Sequence, residues 1–172
     1  MVVLKMQNKL NSDLTQDQQL ATEVARMLVK KNLTLATAES CTGGAIGALL
    51  TSLAGSSAWF NGGVISYSNP TKIKLLNVNP DSIDTYGAVS QAVVEAMAIG
   101  GCQAMAADLC VAVSGVAGPG GGTSAKPVGS VWIAWCGPEQ RLTSRLFHFD
   151  GERKEIQLAA VRMALQGVIN QC

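Results

Sequence analysis

Three places in the chain combine residue types that could do chemistry. The first is Ser40, within Glu39-Ser-Cys-Thr-Gly-Gly44. It falls where a strand end is expected to meet a helix start. There the backbone N–H groups of Cys41, Thr42 and Gly43 are expected to converge, and the helix dipole favours negative charge. Such a place can hold an oxyanion or a phosphate, and Gly43-Gly44 let a ligand approach the backbone. A serine at this point also serves as a plain helix cap, and spacing alone does not separate the two roles.

The second place is Tyr67 with Lys72. Tyr67 is expected at a strand end and Lys72 in the first turn of the next helix, on the sheet edge where α/β proteins bind ligands. The chain has one histidine, His148, expected in a strand. Ser-His-Asp and Cys-His catalysis are therefore excluded unless that residue serves. A serine nucleophile would need another base, which a lysine of lowered pKa or a tyrosine beside it can supply. Taken singly, Lys72 reads as a solvated helix residue and Tyr67 as a strand-edge aromatic.

The third place is the loop Gly115–Pro127, with five of the eighteen glycines. Successive glycines such as Gly118 and Gly120 can form an N–H nest for an anion. No Gly-Lys-Ser/Thr closes the loop, so a P-loop reading fails. A flexible surface loop is the plainer interpretation, although structureless loops of this length are more often functional. Arg153 could meet a phosphate or be a solvated charge. Cys41 is a rival nucleophile without an activating partner.

The elements that must position these residues follow from periodicity. A capping box at Thr15 and Gln18 opens an amphipathic helix over 15–30. Strands are expected at 33–38, 62–67, 109–114, 128–135 and 141–149, the last two as an antiparallel hairpin. Helices are expected at 45–53, at 69–76 with Asn69 as cap, from Ser90 past Met105, and from Asp150 or Gly151 onward. Asn79-Pro80 reads as a break. The expected fold class is α/β, a layered sandwich with a mixed sheet and helices on both faces. Residues 1–14 read as an arm, and 15–172 as a single domain without room for a second one in front.

Composition bounds the function. The 172 residues are 48% hydrophobic and 15% charged, with a net charge of +1. The usual charged fraction is about 25%, so self-association as a homodimer or higher homo-oligomer is expected. No basic stripe and only 5% aromatics exclude a nucleic-acid binder. No apolar run reaches a membrane span, and no signal peptide opens the chain. Five scattered cysteines without a C-x-x-C pair suggest reduced thiols, a cytoplasmic location and no metal.

Four motifs occur in order: Thr37-Ala-Glu-Ser-Cys-Thr-Gly-Gly44, Gly63-Val-Ile-Ser-Tyr-Ser-Asn69 with Lys72 following, Ser114-Gly-Val-Ala-Gly-Pro-Gly-Gly-Gly122 and Lys126-Pro-Val-Gly129. Over residues 16–168 the chain resembles the nicotinamide-nucleotide (NMN) deamidase family, also the C-terminal domain of the competence/damage-inducible protein CinA. The resemblance implies a cofactor-free and metal-free amidohydrolase converting nicotinamide mononucleotide to nicotinate mononucleotide and ammonia. It implies Ser40 as nucleophile, Tyr67 and Lys72 as general-base pair, and Ser114 and Arg153 as substrate contacts. Ser114 replaces a usual Thr, Glu152 a usual Asp, and Gln157 lies where many members carry a second basic residue. The alternatives are a catalytically silent nucleotide-binding paralogue and a Ser-Lys hydrolase of another small amide.

Overall fold

A computed structural model describes residues 15–171; the expected arm at 1–14 lies outside them. Five strands, β1 (Leu35–Glu39), β2 (Phe60–Ile65), β3 (Leu109–Gly115), β4 (Ser130–Cys136) and β5 (Leu142–His148), form one sheet in the order β2-β1-β3-β4-β5. β1 runs parallel to β2 and β3, whereas β4 is antiparallel to β3 and β5. The helices are α1 (Gln16–Lys31), α2 (Ala45–Thr51), α3 (Asn69–Leu76), α4 (Pro80–Tyr86), α5 (Gln91–Met105) and α6 (Arg153–Gln171).

Alternation along the strands divides the core in two. Leu35, Val111, Val113, Val131 and Ile133 face α1, α2 and α6. Ala36, Ala38, Cys110, Ala112 and Ala134 face the other way, onto α3, α4 and α5. This is the expected three-layer α/β sandwich. Large branched residues fill the first layer, and the small ones of the second let α5 lie close to the sheet.

Several local expectations are corrected. Ser68, not Asn69, caps α3, accepting from the Thr71 N–H at 3.3 Å. β2 begins at Phe60 and ends at Ile65, so Tyr67 follows the strand rather than ending it. α2 stops at Thr51, and α6 starts at Arg153. Asn79-Pro80 is a start as well as a stop: Asn79 accepts from the Asp81 N–H at 2.9 Å and Pro80 opens α4. Trp135 of the β4/β5 hairpin is buried, at 8% exposure. Its Nε1 donates to the Ala164 carbonyl of α6 at 2.8 Å, and its ring lies where a side chain on Gly167 would be.

Candidate active site

The C-terminal ends of β1 and β3, neighbours running in one direction, deliver Ser40 and Ser114 to the same sheet edge. β2, on the other side of β1, delivers Ser66 and Tyr67 and leads into α3. Ser68 and Pro70 fix the start of α3 and with it the position of Lys72 in its first turns.

Lys72 is 1% exposed, contrary to the solvated position its residue type suggests. Its Nζ donates to Ser40 Oγ at 3.0 Å and to the Ser66 carbonyl at 2.6 Å. Burial pushes the Lys72 pKa below its ordinary 10.5, because the charged form loses solvation. Among the described residues no carboxylate accepts from it. A buried amine of this kind, one N–H anchored on a carbonyl and its remaining valence aimed at a hydroxyl, can exchange a proton with that hydroxyl.

The Ser40 turn is held from beneath by Glu39, a residue the sequence reading did not single out. Its carboxylate is 1% exposed. Oε2 accepts from Thr42 Oγ1 at 2.8 Å, Gly44 N–H at 3.0 Å and Ile46 N–H at 3.1 Å, and Oε1 accepts from Gly47 N–H at 2.8 Å. The first N–H groups of α2 are thus already taken by protein. The Gly43 N–H is also taken, donating to the Ser40 carbonyl at 3.0 Å, which corrects the expected three-donor convergence. The Thr42 N–H has no protein acceptor among the described residues, and the Cys41 N–H meets its own thiol sulfur. An acidic residue closing a buried strand directly before a helix start was the available signal for Glu39.

Ser40, Tyr67, Asn69, Lys72, Ser114, Ala117 and Arg153 are among the residues lining a cavity of about 190 Å³ at this edge. Arg153 reaches across it from the start of α6. Its Nη1 donates to the Gly118 carbonyl at 2.8 Å and its Nη2 to the Tyr67 hydroxyl at 3.1 Å. Tyr67 is thereby tied to Arg153, while the lysine contacts the serine. Ser114 donates to the Ala88 carbonyl at 2.8 Å and is buried. Neither Gly118 nor Gly120, both expected in an anion nest, is among the cavity-lining residues. Cys41 lines the cavity too, but burial pushes its thiol up to about 12, so its thiolate is scarce. Gln157 donates to the Cys41 carbonyl at 2.8 Å, which supports the turn from α6. His148 lies in β5 beside Ser130, at 3.3 Å, as a strand residue.

A larger groove of about 470 Å³ between α1, α2 and α6 includes Ala45, Leu49, Leu158 and Val161 in its wall but no serine or cysteine. Ser40 and Lys72 line the smaller cavity instead. Among the described residues no group of three His, Cys, Asp or Glu side chains could hold a metal ion.

The model of the CinA C-terminal domain family matches residues 17–172. The chain belongs to that family. Among CinA relatives it is 42% identical over 153 residues to the nicotinamide-nucleotide amidohydrolase PncC of Enterobacter agglomerans, covering 89% of this chain and 93% of that one. It is 48% identical to the protein of the same name from Pseudomonas putida over 150 residues, 87% of this chain and 93% of that one. A CinA-like protein of Thermosynechococcus vestitus is 50% identical over 134 residues, and there the match takes in 78% of this chain but 32% of the longer protein. The CinA fold is equally clear. A competence/damage-inducible protein from Agrobacterium tumefaciens superposes with a TM-score of 0.88 at 38% identity, covering 92% of this chain and 96% of that one. The chain is thus an amidase-type enzyme of the CinA family, and no described helix is long and apolar enough to cross a membrane.

Proposed function

We propose that the chain is a nicotinamide-nucleotide amidase, hydrolysing nicotinamide mononucleotide to nicotinate mononucleotide and ammonia. The observation that carries this reading is the 3.0 Å contact of a buried lysine with a serine hydroxyl on a cavity wall, in a family whose similar members carry that activity in their names.

Each step can be written with these groups. Neutral Lys72 takes the Ser40 proton, and Oγ attacks the carboxamide carbon. The Cys41 and Thr42 N–H groups stabilise the tetrahedral oxyanion, as preorganised donors do in acyl transfer. The Lys72 ammonium returns the proton to the departing nitrogen, and ammonia leaves an ester on Ser40. A water, deprotonated by Lys72, then attacks the ester and restores the serine. Neither a metal nor a cofactor enters this scheme. In this reading Arg153, at the rim with Tyr67 and the glycine loop, meets the substrate phosphate. Within the same reading, the enzyme is cytoplasmic and works as a homo-oligomer.

The test is ammonia release from nicotinamide mononucleotide, with NAD and free nicotinamide as controls. Ser40→Ala should abolish turnover and keep both the fold and mononucleotide binding. A mutant holding more than a few per cent of the rate, by order of magnitude, would remove Ser40 as nucleophile. A substrate panel separates this reading from a Ser-Lys hydrolase of another small amide. A silent paralogue has no use for a buried lysine whose desolvation costs stability.

A further inference from the structure

Three of the cysteines meet at the opposite end of the sheet from Ser40, on the face covered by α5. Cys102 lies in the last turns of α5, Cys110 near the start of β3, and Cys136 at the end of β4. Cys110 and Cys136 are directly opposed across the antiparallel β3/β4 pair, so both side chains leave on one sheet face, under α5. Cys102 comes down onto them from the helix. It packs against the cluster that holds both of them, and its Sγ is 3.8 Å from the Cys136 carbonyl. The approach is close because α5 carries a glycine at 101: any side chain there would collide with Cys110 Sγ.

The three thiols differ in access. Cys110 and Cys136 are buried, at 1% and 2% exposure, whereas Cys102 is only part-buried. The three do not converge on a common metal-sized centre. The catalytic cavity does not touch them, so the amidase reaction leaves them unused.

We propose that Cys102, Cys110 and Cys136 form a thiol-oxidation site, in which Cys102 reacts with a hydroperoxide and one of its two buried neighbours resolves it as an intramolecular disulfide. The chemistry balances as follows. The Cys102 thiolate attacks the peroxide, an S–O bond forms and the O–O bond breaks, and the leaving alkoxide or hydroxide takes up a proton. Cys102 is then a sulfenic acid, oxidised by two electrons at the expense of the peroxide. The neighbouring thiol attacks that sulfur. An S–S bond forms, the S–O bond breaks, and water departs with the neighbour's proton. Hydrogen bonding to Cys110, and also to Cys136, pulls the Cys102 thiol below the ordinary thiol range, against burial and the Asp108 carboxylate. This makes the accessible member of the cluster the one with most thiolate.

The experiment is peroxide treatment of the reduced full chain, followed by alkylation, digestion and mass mapping. The expected product is a peptide pair joining Cys102 to Cys110 or Cys136, lighter by two hydrogen atoms, reversed by dithiothreitol and formed within one chain. Cys102→Ser should give no bridge, leave Cys110 and Cys136 alkylatable, and keep the activity of the untreated enzyme. In the native reduced protein, iodoacetamide should label Cys102 ahead of the other two, and labelled protein should no longer form the bridge. Cys102 recovered as a sulfinic acid without a bridge, joined to another chain, or still fully reduced when Cys41 is oxidised would overturn the proposal.

Discussion

Replacing Glu39 by glutamine changes one atom type and should cost several kcal/mol. The side chain of Glu39 accepts from four donors, with both of its oxygens engaged. Glutamine keeps one oxygen. With that oxygen at the Oε2 position, Thr42, Gly44 and Ile46 are still served, but by a neutral group. Hydrogen bonds to a charged acceptor are worth about 1.5–3 kcal/mol and neutral ones about 0.5–1.5, so each of these weakens by about 1 kcal/mol. The amide NH₂ then confronts the Gly47 N–H, and an unpaired buried donor costs about 1–3 kcal/mol. Because the four share one group, the losses do not add fully, and we expect about 3–5 kcal/mol. For a chain of this size that lowers Tm by on the order of 10 °C. Urea unfolding and calorimetry read the stability, and kcat should fall as well, since Ser40 is the next residue. A Glu39→Gln enzyme within about 0.5 kcal/mol of the parent would refute the view that this carboxylate holds the turn.

Lys72→Met should lower kcat by roughly 10²–10⁴-fold, as loss of a general base does. In the parent, kcat should rise with pH as Lys72 deprotonates, in a window below the ordinary 10.5 of lysine, because burial lowers its pKa; a flat profile down to mildly acidic pH would speak against Lys72 as the base. Arg153→Ala should raise KM for the mononucleotide and narrow its advantage over nicotinamide riboside in kcat/KM, and Tyr67→Phe should do the same more weakly. An unchanged preference would move the phosphate anchor to the loop around Gly118. Light scattering should give more than one chain per particle, and a mass near the 17.9 kDa of a single chain at micromolar concentration would count against self-association.

Much of the fold was legible because local signals carry it. The Thr15–Gln18 capping box and the short hairpin bridge are written in adjacent residues, and both occur as expected. Asn79-Pro80 misled in an instructive way: Asn as cap and Pro in the first turn start a helix, and the same Pro forbids continuing the previous one. The site was legible as a set of residue types, since Ser40, Lys72, Ser114 and Arg153 all reach one cavity. Their pairing was not. That Lys72 lies under the surface touching Ser40, while Tyr67 turns to Arg153, depends on how α3 and α6 pack, and no spacing within either segment encodes that. Glu39 escaped notice because a buried acid looks like a strand-end charge until its four donors are seen.

The seat of Trp135 against Gly167 has a consequence for how this enzyme can be damaged from afar. α6 runs without interruption from Arg153 at the cavity rim to the contact with Trp135 near its other end. At 1.5 Å per residue, the fourteen steps from Arg153 to Gly167 span roughly 21 Å. A helix is stiff along its axis, so it behaves as a lever whose fulcrum is that one missing side chain. A methyl at 167 has nowhere to go but against the indole ring, and the strain leaves by shifting or rotating the rod. The other end then carries the guanidinium away from Gly118 and Tyr67. Such a variant would show a fault in substrate capture with every group of the reaction still in place, and would invite the label allosteric for what is a wedge under a beam.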